Sequence, residues 1–467
     1  MKKRTDGIIK VISGERFTPF ALAEKLNAKA FLESSSLEKG RERYSLLLIE
    51  EAFRINQIGS EISLIKNSST IPLKFKDGDI LTALEYFADQ HPKIHQDFPF
   101  PAGGIGYLSY EFSRFCDEIN FSTQRDDLNM PDAEFIFPHI VVVVDHYADL
   151  IYLIGLNYKE AETNLQKMID DTEEKIHDLN FNYMAKKERK YSSEIVTLGA
   201  GREDFIKGVN SVKEEIVKGN LLQGVLSRRL DIKTDIPAFE AYRNLRSANP
   251  SPYMFFIDFG EYQLFGASPE VHVKVSRDTI VMRPIAGTRR RGKDLEEDLA
   301  LEKELLADEK ELAEHLMLVD LARNDLGRIC LGGSVKPRFL MDVERYSKLM
   351  HIVSEIEGKL PSDFKSSNAV RATFPAGTVS GAPKIRAIET ISKLEKQKRG
   401  FYSGLVGYMG VEGELDTCIS IRCALKKGDH LYLQAGAGIV YDSTPEREFE
   451  ETGEKMRALA LAVGVNV

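Results

Sequence analysis

Tryptophan is absent from all 467 residues, and cysteine is close to it, with Cys116, Cys330, Cys418 and Cys423 the whole supply. No two of these form a C-x-x-C pair. That excludes a thiolate zinc knuckle, a dithiol redox motif and a disulfide framework, and it points to a reducing cytoplasmic setting. A long uninterrupted apolar run is also missing. The best candidate, from Phe135 to Leu156, carries His139, Asp145, His146 and Asp149, so it reads as sheet and not as a membrane span. Between Met1 and Phe17, Lys10 and Glu15 interrupt any apolar core of an export signal. Positive charge is in deficit too. With 63 Lys and Arg against 72 Asp and Glu the net charge is −9, which disfavours broad contact with nucleic acid or an anionic bilayer and leaves small molecules and protein partners. Tandem repeats and low-complexity tracts, the marks of solenoids and arrays, do not occur.

What is present is 43% hydrophobic and 29% charged, an ordinary globular balance with enough apolar side chains for one large body or two. Residues 8–158 read as a strand-rich N-terminal module, with β-prone runs at 45–49 and 140–144 and a glycine-punctuated loop at 101–107. Residues 159–192 read as a connector. It begins as a charged amphipathic helix with Leu165, Met168 and Ile169 on one stripe, and then turns polar. Residues 193–467 alternate long helices with strands, giving an α+β class with large sheets flanked by helices. One helix is expected over 295–326 and another over 445–463. Strands are expected at 417–424 and 431–435, turned at Lys427-Gly428-Asp429.

Carboxylates stand out on both helices. Glu311 and Glu314 on the first, and Glu448 and Glu451 on the second, are spaced i, i+3, which puts each pair on one helix face. Two such faces brought together could offer oxygen donors to a hard cation such as Mg²⁺; taken singly, each is equally a solvated acidic face. At Gln434-Ala-Gly-Ala-Gly-Ile439 a strand runs into alternating glycines, whose backbone N–H groups could approach an anion closely. Arg422, on the neighbouring expected strand, has the fork geometry to clamp a carboxylate. The same segment also fits a tight turn with an arginine at its rim. Pro284-Ile-Ala-Gly-Thr288 looks like a second loop of backbone donors. His351 alternates with Leu349 and Val353 on a face expected to point inward, either as a hydrogen-bonded core residue or as a proton carrier near neutrality. Glu270, in Gly266-Ala-Ser-Pro-Glu270, is either a proton donor or a helix-starting charge.

Seven segments occur in order: Gln223-Gly-Val-Leu-Ser-Arg228, Gly266-Ala-Ser-Pro-Glu270, Pro284-Ile-Ala-Gly-Thr288, Glu314-His-Leu-Met-Leu-Val-Asp-Leu-Ala-Arg-Asn-Asp325, Phe374-Pro-Ala-Gly-Thr-Val-Ser-Gly-Ala-Pro-Lys384, Asp416-Thr-Cys-Ile-Ser-Ile-Arg422 and Gln434-Ala-Gly-Ala-Gly438. Together they resemble the chorismate-utilising enzymes from Gln223 to the C-terminus. The resemblance implies that Glu314 and Glu451 hold Mg²⁺, with Glu311 and Glu448 as direct or water-mediated supports. It implies a substrate pocket of Gly287, Thr288, Tyr402, Arg422, Gly436, Ala437, Gly438 and Lys455. Glu270 would protonate the leaving hydroxyl, His351 would take the ring proton, and Thr378 would support the substrate or that histidine.

Within the family, members that add water carry a lysine where Gln223 stands, and many aminodeoxychorismate synthases carry one at Ala286. Their absence points to ammonia as nucleophile and to the anthranilate-forming branch. Leu32-Glu33-Ser34 and Asn249-Pro-Ser-Pro-Tyr-Met254 resemble the tryptophan feedback site of that branch, with Ser34, Pro252, Tyr253 and Met254 as effector contacts. The alternative is a turn stiffened by two prolines. Phe31, Gly224 and Glu454 depart from the usual pattern. Lack of tryptophan suits an enzyme needed when tryptophan is scarce. No cysteine sits in a nucleophile elbow, so ammonia is expected from a separate glutamine amidotransferase subunit. An aminodeoxychorismate synthase, which stops before losing pyruvate, and a non-catalytic tryptophan sensor are the competing readings.

Overall fold

The runs at 45–49 and 140–144 lie inside two long strands, Tyr44–Ile58 and Ala133–Asp145, paired antiparallel so that Ser45 meets Val144 and Leu48 meets Val141. Every residue of the second strand is buried. Burial on both faces removes the reason for alternation, which is why it reads as one apolar run. It turns back through Leu150–Leu156, which pairs with Gly7–Ser13. The computed structural model describes residues 6–34, 43–75, 78–91, 98–178, 190–197, 201–346 and 349–467. The helix Leu165–His177 buries Leu165, Ile169, Thr172 and Ile176 on one stripe. The polar stretch expected after it, 179–189, lies outside the described residues.

N-terminal and C-terminal segments share one hydrogen-bonded sheet network. Ala30–Glu33 is inserted between Tyr44–Ile58 and Tyr253–Asp258. Ile105–Leu108 lies between Ala133–Asp145 and Leu405–Met409. The second half of the expected loop at 101–107 is therefore a strand. Its neighbours come so close that a Cβ on Gly106 would fall 2.0 Å from the Glu134 carbonyl oxygen. The architecture is α+β, with helices flanking large antiparallel sheets and the strand-rich N-terminal part intertwined with the rest.

Three further sequence expectations change. The helix expected over 295–326 is two helices, Leu295–Ala307 and Glu309–Gly327. Asp308 breaks it by taking an extended ψ of 102° and accepting hydrogen bonds from the Lys310 and Glu311 amides, as short acidic side chains do at an N-cap. The strand expected at 417–424 is split into Leu415–Ile419 and Cys423–Lys427. Arg422 lies between them in the left-handed region, φ 52°, so it is not on a strand. The glycine run, finally, forms no turn. It belongs to His430–Ile439, which pairs along its length with Gln223–Thr234. Cys423–Lys427 hairpins into that strand at Gly428-Asp429 as expected. The last helix, Pro445–Ala462, starts at its proline.

Candidate active site

His351 lies on Leu349–Lys359 opposite Thr288 of Ile285–Arg290, beside a bulge at Gly287. Gly287 has φ 62°, a conformation that favours glycine, and its carbonyl turns toward the imidazole. Nδ1 lies 3.1 Å from that oxygen and 3.1 Å from the Thr288 hydroxyl. A carbonyl can only accept, so Nδ1 carries the proton and Nε2 keeps its lone pair. The face matches the expectation only in part. Val353 on the histidine's side is fully buried, but Leu349 is exposed and His351 half-buried, while Met350 and Ile352 on the opposite side are both fully buried. The helices packed on this sheet fill the Met350 side, which leaves the histidine free to face the site. Burial first, and the charge of Arg422 after it, hold the imidazole below its ordinary pKa, against the Gly287 hydrogen bond.

The left-handed turn at Arg422 sends its guanidinium to the Lys455 carbonyl, 3.1 Å away. Among the described residues no carboxylate bonds it, and burial lowers its pKa. Lys455 donates to the Gly436 carbonyl at 2.9 Å and pairs with Glu451 at 2.6 Å. A Cβ on Gly436 would stand 3.0 Å from the Tyr402 hydroxyl, and one on Gly438 would stand 2.7 Å from the Gln223 amide nitrogen. Tyr402, Arg422, Gly436, Gly438 and Lys455 thus converge, and the two glycines leave the space. Ala437 points its methyl the other way, into an apolar cluster with Leu226 and Ile439. It contributes backbone only, because alternate residues of a strand face opposite sides.

Glu270 is buried, and burial pushes its carboxyl up to about 8, against the opposing pulls of the Thr378 hydroxyl and the Lys455 charge. Glu270 and Thr378 line one internal cavity of about 20 Å³, room for a guest the size of water. Glu270 is therefore a neutral acid at pH 7, poised to donate.

Glu311 and Glu314 share Glu309–Gly327, and Glu448 and Glu451 share Pro445–Ala462; all four are half-buried. Burial first, then the charges of Glu311 and Glu451, raise the pKa of Glu314. Glu448 is raised by burial and by Glu451, while Ser443 opposes the shift. The helices bring these carboxylates within electrostatic reach of one another. A preformed four-ligand centre is not what they make, however. Arg289 holds Glu311 at 3.1 Å and Lys455 holds Glu451. Among the described residues no three acidic, histidine or cysteine side chains converge tightly enough to hold an ion. The donor set still fits a divalent hard cation, being all oxygen and mutually repelling in a way such a charge would relieve. Arg289 escaped the sequence reading. The signal was its place in Thr288-Arg-Arg-Arg291, three consecutive cations ahead of two acidic helices.

Ser34, Pro252, Tyr253 and Met254 line a second cavity of about 900 Å³, where Ala30–Glu33 meets Tyr253–Asp258. Tyr253 donates to Asp416 at 2.8 Å, and Tyr408 to Glu414 at 2.8 Å. Glu33, also in the lining, accepts hydrogen bonds from Tyr242 at 2.7 Å and Arg246 at 2.9 Å.

A sequence profile of chorismate binding enzymes matches residues 37–461. The chain belongs to the chorismate binding enzyme family. Anthranilate synthase component 1 of Spirochaeta aurantia is 56% identical over 98% of this chain and 96% of its own length. Component 1 of Acetivibrio thermocellus is 43% identical over 78% and 75%. Among solved structures, anthranilate synthase component I from Streptococcus pneumoniae superposes with a TM-score of 0.80 at 36% identity, covering 89% of this chain and 92% of that one. No helix among the described residues is long and apolar enough to cross a membrane.

Proposed function

We propose that the chain converts chorismate and ammonia to anthranilate and pyruvate in the cytoplasm, under feedback inhibition by tryptophan. The observation that carries the reading is Arg422, a guanidinium without a carboxylate partner among the described residues, set between Lys455 and a histidine whose Nε2 is free to accept a proton. A dicarboxylate substrate supplies the missing counter-charge, held by Arg422 and the Gly436–Gly438 backbone. Ammonia forms its bond to ring C2 as the C4–O bond breaks, and Glu270 protonates the departing hydroxyl to water. His351 Nε2 then takes the C2 proton, the ring C3–O bond breaks, and the enolpyruvyl group leaves an aromatic ring as the enolate of pyruvate, which takes a proton at its methylene carbon to give pyruvate. Thr378, whose buried hydroxyl has no hydrogen-bond partner among the described residues and lines the same cavity as Glu270, supports the substrate. Glu314 and Glu451, with Glu311 and Glu448, would hold Mg²⁺, whose charge offsets the ring carboxylate and orients the ring. Binding it requires Glu311 and Glu451 to exchange Arg289 and Lys455 for the cation.

The relatives' designation as one component supports a separate glutamine amidotransferase subunit as the source of ammonia. Tryptophan would occupy the cavity of Ser34, Pro252, Tyr253 and Met254, and inhibition follows if the two ligands prefer different arrangements of the shared sheet. The test is the purified chain with chorismate, ammonium and Mg²⁺. Anthranilate fluorescence should grow without any glutaminase, cease on chelation and fall with tryptophan. A non-aromatic amino adduct as the final product would assign the chain to the aminodeoxychorismate branch instead.

A further inference from the structure

Arg228 is 5% exposed, and among the described residues its guanidinium has no carboxylate partner. Its Nε donates to the Thr452 hydroxyl at 2.6 Å, and its plane lies 4.2 Å from the Phe449 ring centroid. No other side-chain hydrogen bond to it is found among the described residues, and its terminal nitrogens keep contact with solvent. A buried cation costs several kcal/mol unless something compensates it, and a neutral hydroxyl and a ring face do so only in part. Burial alone lowers its pKa, to about 10, with no acidic group offsetting the effect.

Arg228 borders an open cavity of about 660 Å³ that Gln223–Thr234 shares with its neighbour His430–Ile439, the latter contributing Tyr432 and Gln434. The acids around that cavity are already engaged. Asp204 pairs with Lys396 at 3.6 Å, Asp127 with Arg125 at 3.6 Å and Glu395 with Arg399 at 2.8 Å, while Asp231 is hydrogen-bonded to His430 at 2.8 Å. Lys207 and Lys393 stand exposed at the rim, with no ion pair among the described residues. The cavity thus carries an excess of positive charge in a chain whose net charge is −9. Its size is that of a small-molecule site.

We propose that this cavity is a second anion-binding site, separate from the Arg422 pocket, for a small molecule bearing a phosphate or carboxylate group, with Arg228 as the buried anchor and Lys207 and Lys393 at the rim. The two terminal nitrogens of a guanidinium match two oxygens of either group.

Thermal unfolding of the full chain, titrated with inorganic phosphate or with succinate at ionic strength fixed by sodium chloride, tests it. A saturable rise in Tm, about 3 °C at a hundredfold excess over Kd, is expected. Either probe giving it supports the site, and the tighter one names the ligand class. Arg228→Met keeps the packing on Phe449 and should abolish the rise. Arg422→Met should leave it intact, which separates this site from the substrate pocket. The exposed pair Lys207→Ala with Lys393→Ala should weaken the midpoint several-fold, and it serves if Arg228→Met fails to fold. No saturable rise with either probe, or an undiminished rise in Arg228→Met, overturns the proposal.

Discussion

Replacing Glu270 with glutamine should kill catalysis and stabilise the fold at alkaline pH. The buried carboxyl is pushed up from 4.5 to about 8, so roughly nine in ten molecules carry the proton at pH 7. Glutamine keeps the shape but cannot surrender a proton to a leaving oxygen. Loss of a positioned general acid costs about 10²–10⁴-fold in rate. In the unsubstituted chain, turnover that needs the protonated form should fall as pH rises through about 8. Stability moves the opposite way. A carboxyl whose folded pKa is raised binds its proton more tightly in the folded chain, so its contribution is intact below about 4.5 and is lost as pH climbs to about 8. At about 1.4 kcal/mol per pH unit, the interval corresponds to at most about 5 kcal/mol. Urea unfolding of both proteins at pH 5.5 and pH 9, with ammonia-dependent anthranilate formation on the same preparations, measures both effects. Turnover of Glu270→Gln within threefold of the unsubstituted chain would refute the assignment of the acid. A stability gap that does not widen with pH would refute the burial argument.

His351→Ala should slow aromatisation by about 10²–10⁴-fold while amination continues, so a non-aromatic amino adduct accumulates and chromatography of the reaction detects it. Arg422→Met should raise the KM for chorismate by at least about tenfold, since one charge-assisted hydrogen bond is worth about 1.5–3 kcal/mol; steady-state kinetics in ammonium reads it. Gly106→Ala puts a methyl 2.0 Å from the Glu134 carbonyl and 2.6 Å from the Phe135 Cα, so soluble yield should collapse, backbone at that distance having no room to yield. Asp308→Ala should cost about 1 kcal/mol through the lost N-cap, seen as a lowered urea midpoint.

What was legible in the sequence followed local chemistry. Proline at the first turn marked where Pro445–Ala462 begins, and Gly428-Asp429 marked the hairpin. The break at Asp308 was hidden because Leu305, Leu312, Leu316 and Val319 keep helical spacing across it. Apolar periodicity records which side chains face inward and is indifferent to one residue leaving the helix. Arg422 was hidden for the parallel reason. Alternation continues through 417–424, while the left-handed residue within it announces itself only as an arginine where glycine or asparagine would be usual. The site residues were readable as motifs, but not the pairing of Arg289 with Glu311, since contacts between distant segments leave no periodic trace.

The insertion of Ala30–Glu33 beside Tyr253–Asp258 sets a timetable for synthesis. Roughly 220 residues separate the two strands, and at about 5–20 residues per second the earlier one waits about 10–45 s for its neighbour to leave the ribosome. During that interval Phe31, fully buried in the finished molecule, belongs to a nascent chain with one sheet edge open. Such an edge is a template for aggregation, which makes translation speed and chaperone supply determinants of how much active protein a cell obtains.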